Sequence, residues 1–281
     1  VYTLRNTIGS SVRVLENNAD VVAKFKEANL PAKEFFSFTT SENVKLNGWM
    51  VKPANFDSNK KHPVLLVQYS GPDSQEALDR WKIDWEYYLA TQDYVVVCVD
   101  GRGTGARGAE FRKCTYQQLN ILETKDQVET AKYMGNQTYV DKNRIGIWGW
   151  SFGGFNTLMS MSEGTPVFAA GVAVAPPTNW HFYDTIYTER YMRTPKENAH
   201  GYATNPIERA NNLHGALLIC HGLADDNVHP QNTIEYSEAL VQADKDFKEN
   251  FYTNRNHGIS GGNTRNHLLR QISTWFIENL K

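Results

Sequence analysis

The sequence predicts an α/β fold built on a mainly parallel sheet with helices on both faces. Three observations predict it. From residue 64 onward, short apolar runs alternate with amphipathic stretches. A Gly-x-Ser-x-Gly pentapeptide, Gly149 to Gly153, lies where such a run meets a helical stretch. The chain has 281 residues, 41% hydrophobic and 21% charged, enough to bury a large core without staples.

The opening segment reads differently from the rest. Val1–Leu15 is strand-like and polar. Val21, Val22, Phe25 and Ala28 have helical spacing, so 18–29 is expected to be a helix that ends before Pro31. Residues 33–39 and 43–52 look like antiparallel strands around a Thr-Ser-Glu-Asn turn. The alternation then begins with a strand at 64–69. Residues 75–91 follow as an expected helix, with Leu78, Trp81, Trp85, Tyr88 and Leu89 on one face. Strands are expected at 94–99, 144–149, 167–174, 216–220 and 247–253, and helices at 119–134, 152–161, 233–243 and 265–280. Asn205-Pro206-Ile207-Glu208 reads as a further helix start, with an N-cap Asn, Pro at the first helical position and Glu two later.

Composition removes several function classes. A net charge of −2 leaves no basic footprint for nucleic acid. The longest apolar runs, such as 94–99 and 167–177, are too short to span a bilayer. Cys98, Cys114 and Cys220 form no disulfide framework and have no zinc spacing, so neither metal nor cofactor is expected. Chemistry must therefore come from side chains.

Arg144–Gly149 runs straight into Ser151, and Phe152 opens the next helix. A strand turning abruptly into a helix, with Ser at the apex, has no room for side chains two residues to either side. Gly149 and Gly153 relieve that crowding, and Ser151 is expected to be a nucleophile above the C-terminal edge of the sheet. This is the elbow of the α/β-hydrolase fold, in which the acid and then the histidine follow the serine along the chain. Of the eight histidines, His257 stands just past the last expected strand and is assigned as general base. The exit loop of the 216–220 strand carries Asp225 and Asp226. One of them should face His257 and the other bond the loop backbone. The backbone N–H of Phe152 supplies one oxyanion donor, and the Tyr69 phenol in the loop after the first parallel strand is the candidate second. Gly103-Thr-Gly-Ala-Arg-Gly108 matches the dinucleotide fingerprint formally. It is read as a tight loop needing positive φ, because residues 109–116 lack a helical apolar stripe.

Together these pieces resemble the prolyl oligopeptidase family of serine peptidases. The resemblance rests on Tyr69-Ser-Gly-Pro-Asp-Ser-Gln75, Asp100-Gly-Arg-Gly-Thr-Gly105, Gly149–Gly154, Trp180–Asp184, Tyr187–Met192, His221–His229 and His257-Gly-Ile259. It implies Ser151, Asp225 and His257 as triad, Tyr69 and Phe152 as oxyanion hole, and a proline pocket of Phe152, Trp180, Tyr183, Tyr187 and Val228. By spacing alone Trp180, Tyr183 and Tyr187 would read as core aromatics. Asn227 matches the residue that binds the carbonyl before the proline. The implied activity is release of N-terminal dipeptides with proline or alanine second, through an acyl-enzyme, with peptides as substrates. An esterase of the same fold, or a domain inactive by itself, are the alternatives. Relatives carry an N-terminal β-propeller that binds the substrate amine, and nothing here could be that propeller. Residues 1–40 are therefore expected to be the end of such a domain and a connecting helix, with 41–281 as the peptidase domain. A homodimer and a periplasmic, secreted or cell-surface location are expected by resemblance. Mammalian relatives have a disulfide where Ala169 and Ala170 stand here, and Tyr where Phe152 stands, which points to a bacterial-type enzyme.

Overall fold

A computed structural model describes all 281 residues. Val1–Ala32 and Lys33–Lys281 form two separate compact units. In the first, β1 (Tyr2–Arg5) and β2 (Ser11–Glu16) make an antiparallel hairpin, followed by α1 (Ala19–Glu27), none of whose residues is buried.

The second unit contains β3 (Glu34–Thr39), β4 (Lys45–Val51), β5 (His62–Val67), α2 (Glu86–Thr91), β6 (Val95–Asp100), α3 (Ala109–Lys113) and α4 (Leu122–Gly135). Then follow β7 (Val140–Trp150), α5 (Phe152–Met161), β8 (Ala170–Val174), α6 (Thr185–Met192) and α7 (Ala199–Ala203). The chain closes with β9 (Ala216–Gly222), α8 (Gln231–Gln242), β10 (Lys248–Tyr252) and α9 (Thr264–Asn279). Eight strands form one sheet in the order β10-β9-β8-β7-β5-β6-β4-β3. The strands from β5 to β10 pair in parallel, and β3 and β4 complete one edge antiparallel.

Side-chain alternation along β6 explains the layering. Val95, Val97 and Val99 point into the main core with Val128, Ala131 and Met134 of α4, Leu158 and Met161 of α5, and Tyr236 and Leu240 of α8. The intervening Val96 and Cys98 are equally buried but outside that core. On β7, Ile145 and Ile147 face the same core. Between them, a Cβ at Gly146 would meet Phe276 of α9 at 2.8 Å. Helix α9 therefore covers the opposite face, as a both-sided sheet of near-continuous apolar strands requires. This is the α/β-hydrolase architecture.

Two expected elements are absent. Residues 75–84 are not helical, and only Glu86–Thr91 of the anticipated 75–91 helix forms. The Asp100 carboxylate accepts the N–H groups of Glu76 and Ala77, and the Trp49 indole donates to the Glu76 carbonyl. The Glu76 carbonyl, which a helix would bond to the Arg80 N–H, thus goes to Trp49 instead. The 205–208 start also fails to propagate. Asn205 Oδ1 does accept the Glu208 N–H at 3.1 Å, as a cap would, but only turns and a short 3₁₀ segment at Ala210–Asn212 follow.

Candidate active site

The parallel strands end nearly level. Val67 of β5 pairs with Trp148 of β7, Trp150 with Val174 of β8, Val174 with Cys220 of β9, and Gly222 with Tyr252 of β10. The exits of β5, β7, β9 and β10 thus converge on one edge, and they carry Tyr69, Ser151, Asp225 and His257 respectively.

Ser151 has φ 57° and ψ −119°, a conformation that L residues avoid, and its N–H is tied to the Val174 carbonyl at 2.8 Å. The glycines make this turn possible. A Cβ at Gly149 would overlap the Gly153 backbone. One at Gly153 would meet the Gln68 carbonyl oxygen at 2.5 Å. The first N–H groups of α5, beginning with Phe152, have no partner inside the helix and lie directly after Ser151.

His257 Nδ1 is 2.7 Å from Asp225 Oδ2. The His257 carbonyl accepts the Trp150 indole N–H at 3.0 Å, which anchors the histidine loop beside the elbow. Arg265 stacks over the Trp150 ring and donates to the Gly258 carbonyl, bracing the same loop. No hydrogen bond joins Ser151 Oγ to the imidazole.

Asp225 does the work expected of two aspartates. Its Oδ2 faces His257, while Oδ1 accepts the N–H groups of Asn227 and Val228 at 3.0 and 2.9 Å. Asp226, expected to bond the backbone, is exposed instead. Burial opposes ionisation of Asp225. The His221 and His257 imidazoles and the Val228 N–H prevail, holding its carboxyl well below the usual carboxylate range.

Tyr69 sits between two inward-tied residues. Gln68 donates to the Gly153 carbonyl at 2.7 Å and to Thr157 Oγ1 at 3.2 Å, and Ser70 donates to Gln68 Oε1 at 2.9 Å. With its neighbours turned toward the elbow, Tyr69 is 37% exposed and its ring lies 6.1 Å from that of Phe152. Burial raises its phenol, so it keeps its proton at neutral pH.

An aromatic cluster stands beside the elbow. The Trp180 ring is 6.1 Å from Phe152, 5.9 Å from Tyr183 and 5.9 Å from Tyr187, and the two tyrosines meet edge to face at 5.3 Å. Asp184 caps α6 by accepting the Tyr187 N–H at 2.8 Å, which fixes where Tyr187 leaves the helix. Val228 is fully buried. Burial pushes Tyr183 up to about 12 and raises Tyr187 further, so both are uncharged. Tyr183 donates to Asn227 Oδ1 at 2.9 Å, leaving the Asn227 amide N–H₂ as its free donor. Tyr69 and Trp150 also line a cleft of about 460 Å³ with Trp85 and Glu86 in its walls.

The glycine-rich loop leaves β6 at the same edge and braces the loop after β5, its Gly103 carbonyl accepting the Asp73 N–H at 2.9 Å and its Gly105 N–H donating to the Ser74 carbonyl at 2.8 Å. Gly103, Ala106 and Gly108 all have positive φ, the tight-loop reading of that motif. Sequence reasoning passed over His221, Trp150 and Gln68, which brace the site. A histidine closing an apolar strand just before the acid loop was the available signal, since both ring nitrogens need buried partners there.

The family model described as the prolyl oligopeptidase family matches residues 81–281. The chain belongs to the prolyl oligopeptidase family of serine peptidases. It is 39% identical over 97% of its length to dipeptidyl peptidase 4 of Bos taurus, and covers 36% of that protein. It is 40% identical over 94% of its length to a protein of Podospora anserina named as a probable dipeptidyl-aminopeptidase B, covering 29% of it. Among solved structures, dipeptidyl peptidase 4 of Porphyromonas gingivalis superposes with a TM-score of 0.94 at 52% identity, over 96% of this chain and 38% of that one. The chain thus spans about a third of the length of the relatives it matches. No helix is long and apolar enough to cross a membrane.

Proposed function

We propose that this chain is the catalytic part of a longer serine exopeptidase that releases dipeptides from peptide N-termini after a second-position proline or, more slowly, alanine. The observation that carries the reading is the 2.7 Å His257–Asp225 bond on the sheet edge where the strained Ser151 elbow emerges. The names of the relatives, dipeptidyl peptidase and dipeptidyl-aminopeptidase, support the same mode.

Ser151 Oγ attacks the carbonyl carbon of the proline residue, and His257 takes its proton while Asp225 holds the ring and balances its charge. The developing oxyanion receives the Phe152 N–H and the Tyr69 O–H. His257 returns the proton to the departing amine, the C–N bond breaks, and a dipeptidyl ester remains on Ser151. Water then attacks that ester by the same route. The slot of Trp180, Tyr183, Tyr187, Phe152 and Val228 suits a pyrrolidine ring because it is apolar, aromatic-walled and uncharged. Asn227 N–H₂ is available to the preceding carbonyl. The cleft past Tyr69 leaves room for the departing segment. The free amine of the substrate is assigned to a β-propeller of the longer protein, with Val1–Ala32 as its end; the expected boundary at residue 40 moves back, because β3 (Glu34–Thr39) belongs to the peptidase sheet.

Side-by-side kinetics test the reading on the full-length protein. Ala-Pro-p-nitroanilide should be cleaved far better than a short-chain ester, and Ser151→Ala should lower that turnover by on the order of 10⁴-fold or more. Fast ester cleavage without a proline preference would contradict it and favour an esterase.

A further inference from the structure

Asp225 has a second imidazole beside it. His221 closes β9 with its side chain fully buried, and both ring nitrogens are engaged. Nδ1 lies 2.7 Å from Thr233 Oγ1, and Nε2 lies 2.8 Å from the Val228 carbonyl oxygen. Nε2 is also 3.3 Å from Asp225 Oδ2, the same oxygen that meets His257. Only acceptors face Nε2, so it carries the hydrogen, and the Thr233 hydroxyl meets the ring at Nδ1. The better-aligned bond goes to Val228, with the carboxylate at the flank of the same N–H. From the other side, Asp225 Oδ1 accepts the N–H groups of Asn227 and Val228. The 225–228 loop is therefore closed internally by one imidazole and one carboxylate.

That loop serves two tasks in the reading above. Asp225 orients the base, and Val228 forms part of the proline slot. We propose, resting on that reading, that His221 is a positioning residue which sets both through a single N–H, locking the Val228 carbonyl and the Asp225 carboxylate in one geometry. The charge consequence has a definite sign. An Oδ2 shared between two N–H groups is less basic toward His257 than one with a single partner. Withdrawing the His221 N–H concentrates charge on Oδ2, and a more basic carboxylate keeps the base protonated to higher pH. Other titratable groups facing Asp225 are His257 and, across the loop, Tyr183.

The test uses the full-length protein with Ala-Pro- and Ala-Ala-p-nitroanilide over a range of pH. His221→Asn, which places no N–H near the Nε2 position, should lower kcat/KM for Ala-Pro by about tenfold or more, as loss of an outer partner does elsewhere. It should also narrow the preference for Pro over Ala and move the acid limb of the profile upward by roughly half a pH unit. His221→Gln, whose amide can reach that position, should recover part of each effect. A folded His221→Asn protein with the wild-type limb and preference would overturn the proposal. So would an equal loss on both substrates with the limb unmoved, the mark of a merely structural residue. Should His221→Asn fail to fold, the ¹⁵N shifts of the wild-type ring decide. A proton on Nε2 with Nδ1 bare supports the proposal, and the Nδ1–H tautomer overturns it. A wild-type protein that cleaves neither reporter would instead count against the functional reading, and the ¹⁵N readout would still judge the ring.

Discussion

At the scale of single residues, the site is a set of protonation states fixed by surroundings. Asp225 is ionised because its hydrogen-bond donors outweigh its burial, whereas Tyr69 remains a phenol because burial raises it. The sign for Asp225 follows from its lowered value. Its contribution to stability is present above the ordinary carboxylate range and lost only as pH falls through the depressed folded value. Activity should therefore not titrate with Asp225 at any pH where the fold survives, and kcat/KM measured down to the onset of acid unfolding checks this. Tyr69→Phe keeps the ring beside Phe152 and removes one oxyanion donor. It should lower kcat by about 10²–10³-fold with KM little changed, read on the Ala-Pro reporter.

At the scale of elements, the sequence was most legible where chemistry and mechanics coincide. The elbow needs Gly149 and Gly153, and the backbone that a Cβ would strike at each is now identified. Gly153→Ala forces apart α5 and the loop carrying Tyr69, since its Cβ would meet the Gln68 carbonyl oxygen at 2.5 Å and Tyr69 Cα at 3.2 Å. We expect a cost of about 1–3 kcal/mol in urea unfolding, with kcat falling more than that loss explains. Legibility failed where distant groups decide a local conformation. Leu78, Trp81, Trp85 and Tyr88 have helical spacing, yet the Trp49 indole, over twenty residues away, takes the Glu76 carbonyl that the helix would have used. Asn205 makes its cap bond and no helix follows, so a start signal alone did not suffice. The aromatics at 180, 183 and 187 were ambiguous for the same reason. Their spacing fits core packing, which they share with Phe155 and Met159, and only the place of the Trp180 turn and α6 brings them beside the elbow. Asp225 and Asp226 were equivalent by position. The structure separates them because one carboxylate reaches both the imidazole and the loop backbone.

At the scale of the whole molecule, buried carboxyls outside the proposed triad give the fold a pH dependence, Glu86 and Glu123 most strongly. Glu86, pressed by burial and then by the Asp84 charge, is pushed up from 4.5 to about 8. Glu123, completely buried, is likewise pushed up to about 8 by burial. Both hold a proton in the folded state that the unfolded chain releases above its ordinary value. Each therefore contributes a fall in stability as pH rises from about 4.5 to about 8, of at most about 1.4 kcal/mol per pH unit. Urea unfolding at pH 5 and pH 8 measures that slope. Glu123→Gln should make it shallower by one proton, and an unchanged slope would refute the assignment. The central claim concerns how the parallel strands deliver one nucleophile and its base to a common edge. Its most direct test is an Ala-Pro diaryl phosphonate, with the adduct mapped by mass spectrometry. The account predicts a single covalent adduct on Ser151, lost in Ser151→Ala and formed at least 10²-fold more slowly, to order of magnitude, in His257→Ala. No adduct on the folded protein, or one on another residue, would contradict it.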